Sequence, residues 1–84
     1  MQRGDDLETT YVLQFENFIG HRSDEATFKA KTIEDAVQKA ISLIYKLRRK
    51  ANYNVFYIRS WPKGDEMVFD FGSHLEFYYL IKKK

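Results

Sequence analysis

The chain has no cysteine among its 84 residues, so neither a disulfide frame nor a thiolate metal site can staple it. One proline and four glycines are too few for a linker or low-complexity protein. The glycines are scattered, which excludes a glycine-rich loop that cradles phosphate. No apolar run approaches the roughly 18 residues of a membrane span, and the first residues lack the apolar stretch of a secretion signal. Charge of one sign is also scarce, at a formal net +2. Aromatic side chains are plentiful: seven Phe, six Tyr and one Trp can furnish a core in a chain the size of one domain. These features predict a soluble, cytoplasmic protein without membrane contact. A flexible leader is expected over residues 1–8 and a single α+β domain over residues 9–84.

The charge is unevenly placed. Four Lys/Arg face eight acids in residues 1–36, a net of −4, and ten face four in residues 37–84, a net of +6. Such asymmetry can mark an interaction surface. It also arises from one helix with acids at its start and bases at its end, and the periodicity predicts that helix.

Tyr11, Leu13 and Phe15 alternate with Val12, Gln14 and Glu16, the period of a strand. Residues 20–25 read as a polar turn. Ala26, Phe28 and Ala30 then alternate with Thr27, Lys29 and Lys31, a short strand that closes a hairpin. Thr32 followed by Glu34 and Asp35 is a helix start, close to a capping box. Ile33, Ala36, Val37, Ala40, Ile41, Ile44 and Leu47 form one apolar stripe. Asp35 and Lys39 can pair across one turn. The helix is expected to end near Lys50, where Lys46, Arg48, Arg49 and Lys50 complement the macrodipole. Asn52 and Asn54 suit the exit turn. Three strands follow: Val55–Trp61, Met67–Phe71 and Leu75–Ile81. Pro62-Lys63-Gly64-Asp65 and Gly72-Ser73-His74 are read as the tight turns between them, so these strands form an antiparallel meander. The predicted order is ββαβββ, five strands with one helix packed on one face. Val37, Ile41, Ile44, Phe28, Phe69 and Phe77 are expected to meet in the core.

One helix is too narrow for a five-stranded sheet, and the far sheet face is not polar. If Met67, Phe69 and Phe71 face the helix together with Leu75, Phe77 and Tyr79, the far face receives Val68, Tyr78 and Leu80. The register of residues 55–61 stays open, since both faces of that segment are apolar. A curled sheet or a folded-over loop can bury this surplus. Alternatively, it is an exposed face for a partner or a second copy.

Chemistry-bearing motifs are sparse. His21-Arg22-Ser23-Asp24 contains the residue types of a triad, but neighbours in one loop do not converge as a triad does. His74 and Glu76 alternate on one strand, which is two ligands and not a metal site. No carboxylate pair suggests acid–base catalysis. Gly72-Ser73-His74 between two apolar strands resembles the corresponding turn of HicA-type mRNA-interferase toxins. That resemblance implies RNA cleavage by His74 on a double-stranded-RNA-binding-like fold, although here two strands precede the main helix. Phe28–Ile41, a short strand, then Thr-x-Glu-Asp-Ala and a small-residue helix, resembles the ββα part of HicB-like antitoxins and small phage-encoded accessory proteins.

The residues favour a non-enzymatic binding protein that acts through protein–protein contacts, of the kind phages use to inhibit or regulate a host complex. Tyr57, Trp61, Tyr78 and Leu80 are the expected partner anchors, because aromatics dominate binding hot spots. A homodimer is compatible with the same surface. The alternative is an RNA- or DNA-binding module that uses Arg48, Arg49, Lys50, Arg59, Lys82, Lys83 and Lys84 against phosphates. A ribonuclease using His74 stands behind both. No cofactor, metal or small-molecule substrate is expected.

Overall fold

A computed structural model of the protein describes residues 8–83. The elements are β1 (Thr9–Glu16), β2 (Arg22–Ala30), α1 (Ile33–Lys50), β3 (Arg59–Lys63), β4 (Glu66–Asp70) and β5 (Phe77–Lys82). The five strands form one antiparallel sheet in the order β2-β1-β5-β4-β3. This is the predicted α+β class and element order. Residues 1–7 of the expected leader, and Lys84, lie outside the described residues.

The helix begins and ends where the local chemistry directs. Thr32 is extended, and its hydroxyl accepts the Asp35 N–H at 3.0 Å. Asp35 pairs with Lys39 one turn on, at 3.4 Å. At the other end Asn52 adopts φ +60. The Asn52 N–H reaches the Arg49 carbonyl and the Tyr53 N–H reaches the Arg48 carbonyl. This pair of bonds is a Schellman closure, and asparagine is one of the few side chains that tolerate its left-handed position. The stripe packs Ala36, Ala40 and Ile44 fully into the sheet, with Val37, Ile41, Leu43 and Leu47 around them. Ile33, at the first turn, stays exposed.

Two loops differ from the sequence-based expectation. The strand expected from Ala26 starts at Arg22, because Asn17 closes the hairpin earlier. The Asn17 side-chain oxygen accepts the N–H groups of Ile19 and His21, at 3.1 and 2.9 Å, and Gly20 takes φ +87. A register shift at Leu13/Gln14 then places both Glu25 and Ala26 opposite this stretch of β1, a β-bulge. The turn after Phe71 is also longer than Gly72-Ser73-His74. The Ser73 hydroxyl accepts the N–H groups of both Leu75 and Glu76, which holds these residues out of the strand, and β5 starts only at Phe77. The phase of β5 is thereby inverted. Tyr78 and Leu80 face the helix, and Phe77, Tyr79 and Ile81 face away. Phe77 is therefore not part of the helix-side core, whereas Phe69 and Ile44 are buried in it and Val37, Ile41 and Phe28 pack against it half-buried.

The third strand is corrected as well. Only Arg59–Lys63 pairs, and Pro62 lies inside it opposite Met67 rather than in the turn. The turn is Gly64-Asp65 between paired Lys63 and Glu66, with Gly64 at φ +61, a position that favours glycine in a two-residue hairpin loop. Proline is tolerated there because β3 is an edge strand. Residues 51–58 form a connector instead of a strand. Tyr53, Val55 and Ile58 pack onto the core, Tyr53 edge-on to Phe71 at 5.1 Å. The connector covers the part of the sheet that the helix leaves open, so the register left open for residues 55–61 exists only from Arg59 onward, with Trp61 opposite Val68.

Ile44→Ala should cost about 2–5 kcal/mol in urea unfolding, since a fully buried branched side chain leaves a cavity. Ile33→Ala, on the same stripe but exposed, should stay within about 0.5 kcal/mol. Equal losses at the two positions would contradict this placement of the helix.

Candidate interaction surface

The far sheet face covers itself. Val12, Val68 and Tyr79 are buried there although, among the described residues, no second layer lies over them. The cover is polar. The Arg22 guanidinium lies 3.6 Å from the Tyr79 ring centroid and binds both oxygens of Glu66, at 3.0 and 3.2 Å. The Tyr79 hydroxyl donates to Glu16 at 2.7 Å, and Gln14 donates to Asp24 at 2.8 Å. Burial and the bond to Glu16 push the Tyr79 phenol above its ordinary value, and the bond to Glu66 holds Arg22 firmly protonated. What remains apolar on this face is half-buried Ile81 and a small patch of Trp61 and Phe77 over Val68 and Tyr79, beside Lys63. The broad apolar far face expected from the sequence is not formed.

This placement decides which expected anchors are available. Tyr57 and Trp61 are exposed. Tyr78 and Leu80 are corrected: both are buried under the helix, Tyr78 completely, and neither can touch a partner. Burial pushes the Tyr78 phenol up, and its hydroxyl has no hydrogen-bond partner among the described residues.

The basic residues do not gather into one track. The Arg48 guanidinium lies against three rings, 4.9 Å from Phe15, 5.3 Å from Phe71 and 5.6 Å from Tyr78. Its Nε is buried, so Arg48 is a packing residue and not an outward cation. Arg59 binds Asp70 at 2.6 Å. Arg49 and Lys50 are exposed beside the helix C-terminus, near the Phe15–Tyr78 end of the sheet. Lys82 pairs with Tyr11, and the Lys83 N–H with the Thr10 carbonyl, at the opposite end. Tyr78 and Lys82 are four steps apart along β5, roughly 13 Å at strand rise.

The connections sort by end. The β1–β2 loop, the β4–β5 loop and the α1–β3 connector lie together, because Glu16 pairs with both Arg22 and Phe77 and Arg59 pairs with Asp70. At this end Phe56 is 83% exposed, Ile19 73%, Phe18 68% and Leu75 64%, with Tyr57 half-exposed. Phe18 and Leu75 line one shallow depression with Ser73, His74 and Glu76. The other end carries tight connections with Lys31, Lys63, Asp65, Lys82 and Lys83 exposed. Sequence reasoning missed Phe18, Ile19 and Leu75. The signal for the first two was a Phe-Ile pair bounded by Asn17 and Gly20. Leu75 was hidden by its fit to strand alternation.

Among the described residues, the histidines near this surface stand apart. His21 and His74 are exposed on two different loops, and the Ser73 hydroxyl is taken up by backbone N–H groups. Among the described residues no group of three His, Asp or Glu side chains could hold a metal ion, and no helix is long and apolar enough to cross a membrane. No family model matches the chain, and neither a curated protein nor a solved structure matches it.

Asp70 anchors the loop end. Burial alone would raise its carboxyl, but the Arg59 hydrogen bond, the Gly72 N–H at 2.9 Å and the Arg59 charge outweigh burial and hold it below the ordinary carboxylate value. Stabilisation from a depressed carboxyl is present above the unfolded-state value, near pH 4, and is lost as the pH falls through the folded-state value. Asp70→Asn should therefore lower the Tm at pH 7, and the gap to wild type should close below about pH 4. A gap that stays constant into acid would show that Asp70 contributes nothing as a charge.

Proposed function

We propose that this protein is a non-enzymatic binding module that captures a protein partner through its loop end and the adjoining β3 edge. The observation that carries the reading is the gathering of Phe18, Ile19, Phe56, Tyr57 and Leu75, five of the seven exposed large hydrophobics among the described residues, on three connections at one end of the sheet. Clustered exposed apolar side chains are rare on a surface that meets only water. Loops on a rigid scaffold are the usual carriers of recognition. Trp61 extends the surface along β3, so Tyr57 and Trp61 keep the role expected of them, and the loop residues replace Tyr78 and Leu80. The task that fits a module of this size without catalytic groups is inhibition or regulation of a larger assembly, the role expected of a phage-type accessory protein.

The nucleic-acid reading has less support. It requires Arg48 and Arg59, which are occupied by aromatic rings and by Asp70, and it requires two cation groups at opposite ends to act together.

Affinity capture with the tagged chain should therefore recover a defined protein that Phe18→Ser, Leu75→Ser and Trp61→Ala each lose. Their melting temperatures should stay within a few degrees of wild type, since these side chains are exposed. Replacing Lys82, Lys83 and Lys84 by Gln should leave capture intact. If the lysine variant alone lost its ligand, and oligonucleotide affinity fell with salt, the nucleic-acid reading would take precedence.

A further inference from the structure

We infer that residues Asn54–Tyr57 are a strand-docking strip, onto which an extended, acid-flanked segment of a partner protein adds by main-chain hydrogen bonds around Phe56. The inference rests on the protein-binding reading above and gives it a mode and a partner chemistry.

The backbone accounting comes first. Each of these residues carries a donor and an acceptor. Among the described residues, no hydrogen bond is made by the backbone of Asn54, Val55, Phe56 or Tyr57. The free stretch begins after Tyr53, whose N–H closes the helix on Arg48, and stops before Arg59 pairs with Asp70. From Tyr53 to Phe56 its burial alternates, with Tyr53 and Val55 packed on the core and Asn54 and Phe56 outward, and the alternation ends at Tyr57, which is exposed like Phe56. The composition from Asn52 to Ile58 is uncharged, rich in aromatic and β-branched residues, and free of proline and glycine, which is the signature of a segment that pairs with strands.

The true sheet edges are protected against the same event. β2 carries Arg22, Asp24, Glu25 and Lys29 along its length and has the bulge at Glu25, and β3 loses a donor at Pro62. The connector has none of these devices. A fold that blunts both edges and leaves one short backbone stretch open directs strand addition to that stretch.

Charge selects the occupant. Lys46, Arg49 and Lys50 on the last turns of the helix are exposed and have no ion pair among the described residues, where Phe56 is also the most exposed large hydrophobic. An incoming strand with apolar side chains at alternate positions and acids at its flank meets both features. A second copy of this chain would instead add the same cations to this end.

The test is a displayed library of random decapeptides selected on the immobilised full chain. Enriched sequences should alternate apolar residues and carry flanking acids. A synthetic peptide of that sequence should slow amide exchange and shift the amide protons downfield at alternate residues within 54–57. Phe56→Asp should weaken it at least tenfold without lowering the melting temperature. Two versions of the peptide, N-methylated at alternate backbone nitrogens, should differ at least tenfold in affinity, because only one set of N–H groups can face the strip. Equal binding of both, or shifts confined to Phe18, Ile19 and Leu75, would overturn strand addition and leave the protein-binding reading standing. Absence of any enriched peptide would also overturn it, with the capture assay above deciding the broader reading. A concentration-dependent dimer protected at residues 54–57 would replace the foreign strand by a second copy.

Discussion

Five strands about 4.8 Å apart span roughly 19 Å, and a single helix with its side chains is about 10–12 Å across. Everything else in this small protein answers that mismatch. On the helix side, the chain leaves α1 through a Schellman closure and lays Tyr53, Val55 and Ile58 over the uncovered part of the sheet. On the far side, the described residues provide no second layer. A long cationic side chain laid flat on Tyr79 and clamped to Glu66 closes the face with groups that water can still reach. Arginine suits that position because its planar guanidinium stacks on a ring and forks onto a carboxylate at once.

The same mismatch explains where the surface is apolar. A connector that uses alternate side chains to cover the core must turn the intervening ones outward, and Phe56 is turned outward. The hairpin loop held by Asn17 and the loop held by Ser73 present Phe18, Ile19 and Leu75 beside the same end of the sheet. Antiparallel pairing does the rest: each hairpin returns the chain, so loops of β1–β2 and β4–β5 fall together while the charged turns fall at the far end. The result, among the described residues, is a fold whose exposed large apolar side chains lie mostly at one end, beside the cations of the helix C-terminus, while the tight turns at the other end carry mainly charged residues.

Local physics was legible throughout. The helix bounds, its Thr32 cap, the Asp35–Lys39 pair, the first hairpin and the count and order of strands all rest on contacts within a few residues, where periodicity and capping rules operate. Long-range partners carry no such signal. Arg22 meets Glu66 across 44 residues and Tyr79 meets Glu16 across 63, and nothing in either neighbourhood indicates the other. The face of β5 was misjudged for a related reason. Residues 75–81 are apolar on both phases, so only the length of the preceding loop could choose between them. That length was fixed by one serine hydroxyl accepting two N–H groups rather than by any pattern in the strand.

The sequence by itself determined the class of the fold, because helix and strand periods are properties of neighbouring residues. It also determined that the chain holds more aromatic surface than one helix can cover. Tertiary structure alone decided which aromatics remain outside. Tyr78 and Leu80 went under the helix, since a one-residue change of phase exchanges the faces of a strand, and Phe18, Phe56 and Leu75 went out on the connections between elements. Tertiary structure likewise divided the basic residues. Arg48 was drawn over three rings and Arg59 onto Asp70, and Arg49 and Lys50 were parted from Lys82 and Lys83 by the length of β5. Charge counted along a chain has no direction, and the fold supplies it.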